Sequence, residues 1–222
     1  MKKLLIITII ATIFVPTAFA WTDDEITEYR NGESIIVLTS REQKCIPNND
    51  INCVQKSIDA GADANGIFTT AMSFGNFDIA DLALERGADI NNQHRFGYTA
   101  LILSVMEGDL VSIKYLLDNS ADVNIQDDVS NWTALMHAAC FWNAEDAAAE
   151  KTTGAPEESN RALVAKTLLT HKKAKHNFCL VNRYGDTVRD CALQKMRKGI
   201  AQWKKIIALI DKAMAKYKTK CG

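Results

Sequence analysis

Residues 97–124 read GYTALILSVMEGDLVSIKYLLDNSADVN. Thr99 offers a hydroxyl that can cap the free N–H groups of a helix start. TALILSVMEG forms a short first helix, and Gly108 turns the chain. LVSIKYLLDN (110–119) has helical spacing that buries one face. SADVN closes the unit. One such helical pair cannot bury its own apolar face, whereas stacked neighbours bury a continuous core.

The unit recurs. GADAN ends at Asn65, GADIN at Asn91, SADVN at Asn124 and a degenerate KAKHN at Asn177. The apolar-periodic segments INCVQKSIDA, FDIADLALER, LVSIKYLLDN and ALVAKTLLTH precede these endings, and TALMHAACFW (133–142) stands in phase with TALILSVMEG. Asn91 and Asn124 lie 33 residues apart. A 33-residue period with a Thr-x-Leu opening resembles the ankyrin-repeat family, from Asn49 to Tyr217. The resemblance implies an all-α solenoid of about five helix-turn-helix units joined by short β-finger loops. The expected units are 49–65, 66–91, 92–124, 125–177 and 178–222, with a polar N-terminal cap over 21–48. Gly61 and Gly87 suit left-handed helix ends, and Gly75 and Gly108 the turns between paired helices.

Two departures stand out. Asn65 and Asn91 are separated by only 26 residues, so the second unit is expected to lack a projecting finger. In the fourth unit Trp142 replaces the turn glycine, and a left-handed conformation costs Trp more than Gly. AEDAAAE is rich in helix formers. The first helix is therefore expected to run on to about Glu150 as part of a helical insertion over 143–160.

The N-terminus reads MKKLLIITIIATIFVPTAFA. Lys2 and Lys3, the apolar run from Leu4 to Val15, Pro16 and Ala18-Phe19-Ala20 predict a secretory signal peptide cut after Ala20. The run is shorter than the roughly 18 residues a bilayer span needs. The expected location is periplasmic or secreted. Six cysteines in an exported chain imply disulfides. The repeat alignment pairs Cys45 with Cys53, Cys191 with Cys221 and, by remainder, Cys140 with Cys179.

Charge is asymmetric. Residues 21–160 hold 8 basic and 24 acidic residues, whereas 161–222 hold 16 basic and 3 acidic. Such halves steer partners or simply aid solubility. The last segment, IAQWKKIIALIDKAMAKYKTK, is amphipathic, with Ile200, Trp203, Ile206, Ile207, Ile210 and Met214 on one stripe and lysines opposite. It reads first as a terminal capping helix and second as a membrane-surface contact.

Enzyme signatures are absent: no GxSxG, HExxH, P-loop or dinucleotide fingerprint. Adjacent carboxylates such as Asp127-Asp128 lack environments that would split their pKa values. His137 with Cys140, and His171, His176 and Cys179, leave a nucleophile or a half zinc site as the weaker alternative. No cofactor and no nucleic acid are expected. The resemblance implies protein recognition by finger tips and the open face of the first helices. That surface comprises His94, Arg95, Phe96 and Tyr98 in the third unit. In the fourth it comprises Asp127, Asp128, Asn131, Trp132, His137 and Phe141, and in the fifth Arg183, Tyr184 and Asp186. The expected function is binding of a protein partner, basic in view of the acidic front, by a chain monomeric on its own. An immunity or inhibitor protein against a toxin or hydrolase is the specific form. A secreted effector acting on a host protein is the alternative.

Overall fold

The computed structural model describes residues 44–140, 160–196 and 202–217. Nine helices lie within them: α1 (Ile51–Asp59), α2 (Ala64–Phe74), α3 (Phe77–Glu85), α4 (Ala100–Glu107), α5 (Leu110–Asp118), α6 (Ala134–Cys140), α7 (Asn160–Thr170), α8 (Val188–Met196) and α9 (Gln202–Lys216). The expected signal peptide, the expected cap up to residue 43, Trp142 and all but the last residue of the expected insertion 143–160 fall outside the described residues.

The helices stack in two layers. Helices α2, α4, α6 and α8 follow one another in an inner layer, and α1, α3, α5, α7 and α9 form an outer layer against it. One continuous core runs between the layers, from Phe68 and Ile79 through Leu101, Leu116 and Leu135 to Trp203. In α9, Trp203, Ile206 and Ile210 are wholly buried, while Lys204, Lys205, Lys212 and Lys216 are exposed. None of the described helices is long and apolar enough to cross a membrane.

Local chemistry sets the helix ends. Thr99 Oγ1 accepts the Ile102 N–H at 3.2 Å, and Thr133 Oγ1 accepts that of Met136 at 3.3 Å. Helix α2 has glycine where the other units have this threonine. Asp63 takes over, accepting the N–H groups of Asn65 and Gly66 at 3.0 and 3.1 Å. Only residues 60–63 join α1 to α2, so no finger projects there. Gly75 and Gly108 end α2 and α4 with φ of 69° and 75°.

The recurrent asparagine stitches successive units. Asn65 Oδ1 accepts the N–H of Asp89 at 2.7 Å, Asn91 Oδ1 that of Asp122 at 2.8 Å, and Asn124 Oδ1 that of Asn177 at 2.7 Å. In the degenerate KAKHN the last stitch uses the Asn177 backbone, and the Asn177 side chain instead accepts the N–H of Cys179 at 3.1 Å.

One expectation is met only in part and one needs correction. The fingers hold no β-strand among the described residues; isolated antiparallel bridges, Gln126 with Thr133 and Val181 with Thr187, stand in their place. The loops are too short to extend a ladder beyond one pair. The disulfides also differ. Cys45 and Cys53 are bridged, but Cys140 bonds Cys191, not Cys179, and Cys191 therefore does not bond Cys221. The expected pairing took Cys191 within its own hairpin, whereas stacking of α6 on α8 brings it to Cys140, with Cα atoms 5.7 Å apart. Cys179 is disulfide-bonded as well.

A candidate binding ridge of finger loops

Three loops enter the inner helices α4, α6 and α8: residues 93–99, 126–133 and 181–187. Each is pinched at its base by a backbone hydrogen bond. His94 N donates to Tyr98 O at 2.8 Å, Asp127 N to Trp132 O at 3.0 Å, and Asn182 N to Asp186 O at 2.9 Å. The pinch places Gly97, Asn131 and Gly185 at equivalent positions, all left-handed, with φ of 73°, 53° and 80°. Glycine is required most at 97. A Cβ there would lie 2.6 Å from the backbone nitrogen of Asp128.

Neighbouring loops bond to each other. Asp128 N donates to Phe96 O and Arg183 N to Ser130 O, both at 2.9 Å. Gln93 Nε2 donates to Gln126 O at 3.1 Å, and Gln126 Nε2 to Val181 O at 2.8 Å. Arg183 also donates from its guanidinium to Asp128 O at 3.2 Å. The three loops thus make one ridge, with backbone amides and glutamine side chains as cross-ties.

The middle loop is organised around Asp127, whose side chain is buried. Oδ1 accepts the N–H groups of Val129 and Ser130 at 2.9 and 2.6 Å. Oδ2 accepts that of Trp132 at 3.1 Å and faces His137 Nε2 at 2.9 Å. A carboxylate only accepts, so His137 carries its proton on Nε2 and donates. The imidazole lies edge-on to Trp132 and Tyr98, with ring centroids 5.2 and 5.9 Å away. Burial lowers the His137 pKa; the hydrogen bond and charge of Asp127 oppose this less strongly. The imidazole is therefore a neutral strut for the loop.

The predicted contacts now divide. Asp127 and His137 are buried and serve the loop's interior, which removes them from the partner-facing set. His94 is half-buried and turned to the preceding unit, with Nε2 against Thr69 Oγ1. The Thr69 hydroxyl hydrogen goes to Asn65 O, so His94 donates. Tyr98, Trp132 and Asp186 are half-buried between loops and helices. Arg95, Phe96, Asp128, Asn131, Arg183 and Tyr184 are exposed together along the crest. Phe96 is 44% exposed and Tyr184 78%, and the Arg95 guanidinium lies 4.6 Å over the Phe96 ring. Phe141 lies outside the described residues. Sequence reasoning missed Val129 and Val181, exposed by 41% and 46%. It also missed the ties Gln93 and Gln126, whose 33-residue spacing could have revealed them.

The alternative chemical sites come apart. His171 Nε2 faces Asp118 Oδ1 at 3.1 Å, and His176 Nε2 donates to Leu168 O at 3.0 Å. Cys179 and Cys140 are in disulfides and offer no thiolate. Among the described residues no group of three His, Cys, Asp or Glu side chains is placed to hold a metal ion.

Residues 43–127 and 67–150 match the family model described as ankyrin repeats, in three copies. Over 76 residues, 34% of the chain, the sequence is 37% identical to ankyrin repeat and SAM domain-containing protein 6 of Rattus norvegicus. Over 77 residues it is 36% identical to potassium channel AKT1 of Arabidopsis thaliana. The matches span 9% of the length of each of these relatives. Among solved structures, the fold is similar to an ankyrin repeat domain from Acinetobacter baumannii AYE. The TM-score is 0.58 at 23% identity, covering 86% of this chain and 87% of that one.

Proposed function

We propose that this chain, whose residues 43–150 are ankyrin repeats, is a non-catalytic scaffold that binds a protein partner on the crest of its finger loops. One observation carries this reading: three loops are cross-bonded into a single ridge, and that ridge exposes Phe96, Val129 and Tyr184 beside Arg95, Asp128 and Arg183. Aromatic and arginine side chains held on a rigid support lose little entropy on binding and make effective hot spots. The solenoid is read as five units over 49–222, with residues 21–48 as cap.

The specific form is an immunity or inhibitor protein in the periplasm, exported after cleavage behind Ala20. Disulfide-bonded cysteines support an oxidising compartment. The acidic excess of residues 21–160 supports a basic toxin or hydrolase as target. Nucleic acid is disfavoured by the same excess. The test is calorimetric titration of the purified protein against the product of a neighbouring gene. Tyr184→Ala and Phe96→Ala should each weaken binding by at least about tenfold, or about 1.4 kcal/mol. Binding that survives both changes would place the contact elsewhere, and no binding would end the inhibitor reading. The second reading is a secreted effector of a host protein; recovery of the chain from culture medium instead of periplasm would favour it.

A further inference from the structure

Helix α9 closes the stack with its apolar stripe: Trp203, Ile206 and Ile210 are wholly buried. Its other side is exposed and consists of Lys204, Lys205, Ala208, Lys212, Ala215 and Lys216. Lys205, Lys212 and Lys216 follow one another at intervals of seven and four residues, so they share the face opposite Trp203. The one carboxylate of the helix, Asp211, sits on its flank and is tied to Arg189 at 2.6 Å. Among the described residues, none of the four lysines is paired with a carboxylate. The other carboxylates described beyond residue 160, Asp186 and Asp190, bond Gln194 and Thr187 on α8 and the loop that enters it, in the inner layer. Residues 171–178, after α7, add exposed Lys172 and Lys175, while Lys173 is turned to the Asp118 carbonyl. Phe178 joins this loop to the end of α9, its ring centroid 6.4 Å from that of Tyr217.

We propose that this lysine face of α9 docks the chain on an anionic lipid surface. Residue type favours lipid over a protein partner. Every exposed basic residue on α7, on α9 and in residues 171–178 is lysine. Lysine is a hydrated point charge on a flexible stem, suited to a fluid field of phosphates, whereas the planar fork of arginine suits fixed contacts. Lysine is also depleted in protein interfaces, and clusters of about four to eight basic residues on an amphipathic helix match anionic headgroups. The apolar stripe that would insert into a bilayer is already buried in the core. The contact is therefore adsorption by charge, without insertion.

The acidic half of the molecule does not cancel this attraction. Asp78, Asp81 and Glu85 are exposed on α3, and α5 and α7 lie between α3 and α9. Packed helices are spaced by roughly 8–10 Å, so three spacings set α3 about 25–30 Å from α9. The screening length is about 10 Å at 0.1 M salt, and the acidic end lies beyond two such lengths. What repulsion remains turns it away from the bilayer and stands the molecule on its last unit. The finger ridge belongs to loops that enter the inner layer and does not share this face. Lipid docking and partner binding are thus separate events, and the first does not rest on the second.

Vesicle flotation tests the docking. Purified in the form expected after cleavage behind Ala20, the protein should float with vesicles of about 70% phosphatidylcholine and about 30% phosphatidylglycerol at about 0.1 M salt. It should not float with phosphatidylcholine alone, and about 0.5 M salt should release it from the anionic vesicles. Each lysine near such a surface contributes roughly fivefold to partitioning, so K205E/K212E should lower it by at least about tenfold. K205Q/K212Q, which removes the charge without reversing it, should fall between that variant and the wild type. K56E/K114E, on α1 and α5, makes the same change in net charge away from the face and should lower partitioning by less than about threefold. Absence of flotation at low salt overturns the proposal. So does equal binding to neutral vesicles, or equal loss in the two glutamate variants. Capture on immobilised polyglutamate without flotation would assign the face to an acidic protein instead.

Discussion

The loops at 93–99 and 126–133 occupy equivalent places in successive units, yet they are held in different ways. In the second, Asp127 gathers three backbone amides and the His137 imidazole into one buried cluster. Asn182 does a smaller version in the third loop, accepting the amides of Tyr184 and Asp186 at 2.8 and 3.0 Å. In the first loop the same position is His94, whose ring reaches back to Thr69 and leaves the loop's own amides alone. There Phe96 adopts φ of 67°, a conformation that costs a non-glycine residue roughly 1–2 kcal/mol. One loop is braced from within. The other leans on its neighbours: the Thr69 of the unit before and the Asp128 N–H of the loop after.

The Cys140–Cys191 bridge offers the harshest test of this difference, because it ties the braced side of the molecule and not the other. The bridge encloses a separation of 51 residues, and loop-closure entropy puts its contribution at about 4 kcal/mol. Cys140→Ala with Cys191→Ala should therefore destabilise α6–α9 strongly. Amide exchange in α2–α4 should change little, since units in a solenoid couple chiefly to their neighbours. If exchange rose uniformly along the chain, the two regions would be one cooperative body and the contrast would lose its meaning. Peptide mapping of the same protein should find Cys179 joined to Cys221, the one cysteine that the other two bridges leave over.

Next in size is the brace itself. Asp127→Ala strands three partly buried amides and the buried His137 Nε2 proton, and should cost about 3 kcal/mol in denaturant unfolding. His94→Ala removes one donor from a half-buried site and should cost less than about 1 kcal/mol. Equal losses would show that the burial of Asp127 matters less than the cross-ties between loops. Gly97→Ala should fall between them, at about 2 kcal/mol, because the first loop is pressed against the Asp128 backbone and has no room to give.

Acid should separate the histidines from everything else. His94, His137 and His176 are all held below the ordinary imidazole range, in each case chiefly by burial. Opposing them, more weakly, are the Asp63 charge at His94, Asp127 at His137, and the hydrogen bond to the Leu168 carbonyl at His176. A histidine with a depressed folded pKa binds fewer protons folded than unfolded. Its contribution is complete above the unfolded pKa of about 6.5 and is lost as pH falls through the lower folded value. Stability should therefore decline between about pH 7 and 5, well above the carboxylate range. His137→Gln should flatten part of that slope even if it lowers stability at neutral pH. A profile that is level down to about pH 5 would contradict the buried, neutral imidazole.

How much of this is legible from residues alone depends on range. The helix pairs follow from apolar spacing, Thr99 and Gly108, all of which act within one unit. The stitching asparagines appear in sequence only as a repeat ending, because their bonds reach into the next unit. The disulfide at Cys140 was misread for the same reason: its partner is near only after α6 and α8 stack. Asp127 and His137 look like surface recognition residues by type and position. Their burial follows from a loop that folds inward around the carboxylate, which no local pattern announces. Arg183 and Tyr184 sit in a loop whose Asn182 and Gly185 fix its turn chemistry, and there the expectation of an exposed tip agrees with what is seen.

The smallest expected effect is the most discriminating. Asn131 occupies the left-handed position that Gly97 and Gly185 hold in the other loops. Asparagine tolerates that region better than most residues but still at some cost. Its side chain is exposed, and its contribution to the ridge is its carbonyl, which accepts from Gln126 Nε2 at 2.6 Å. Asn131→Gly keeps the carbonyl and relieves the backbone, while glycine adds entropy to the unfolded chain. In a braced loop the two nearly cancel, and stability should move by no more than about 0.5 kcal/mol. A larger loss would mean that Asp127 does not hold the loop against added freedom. The second loop would then be as dependent on its neighbours as the first.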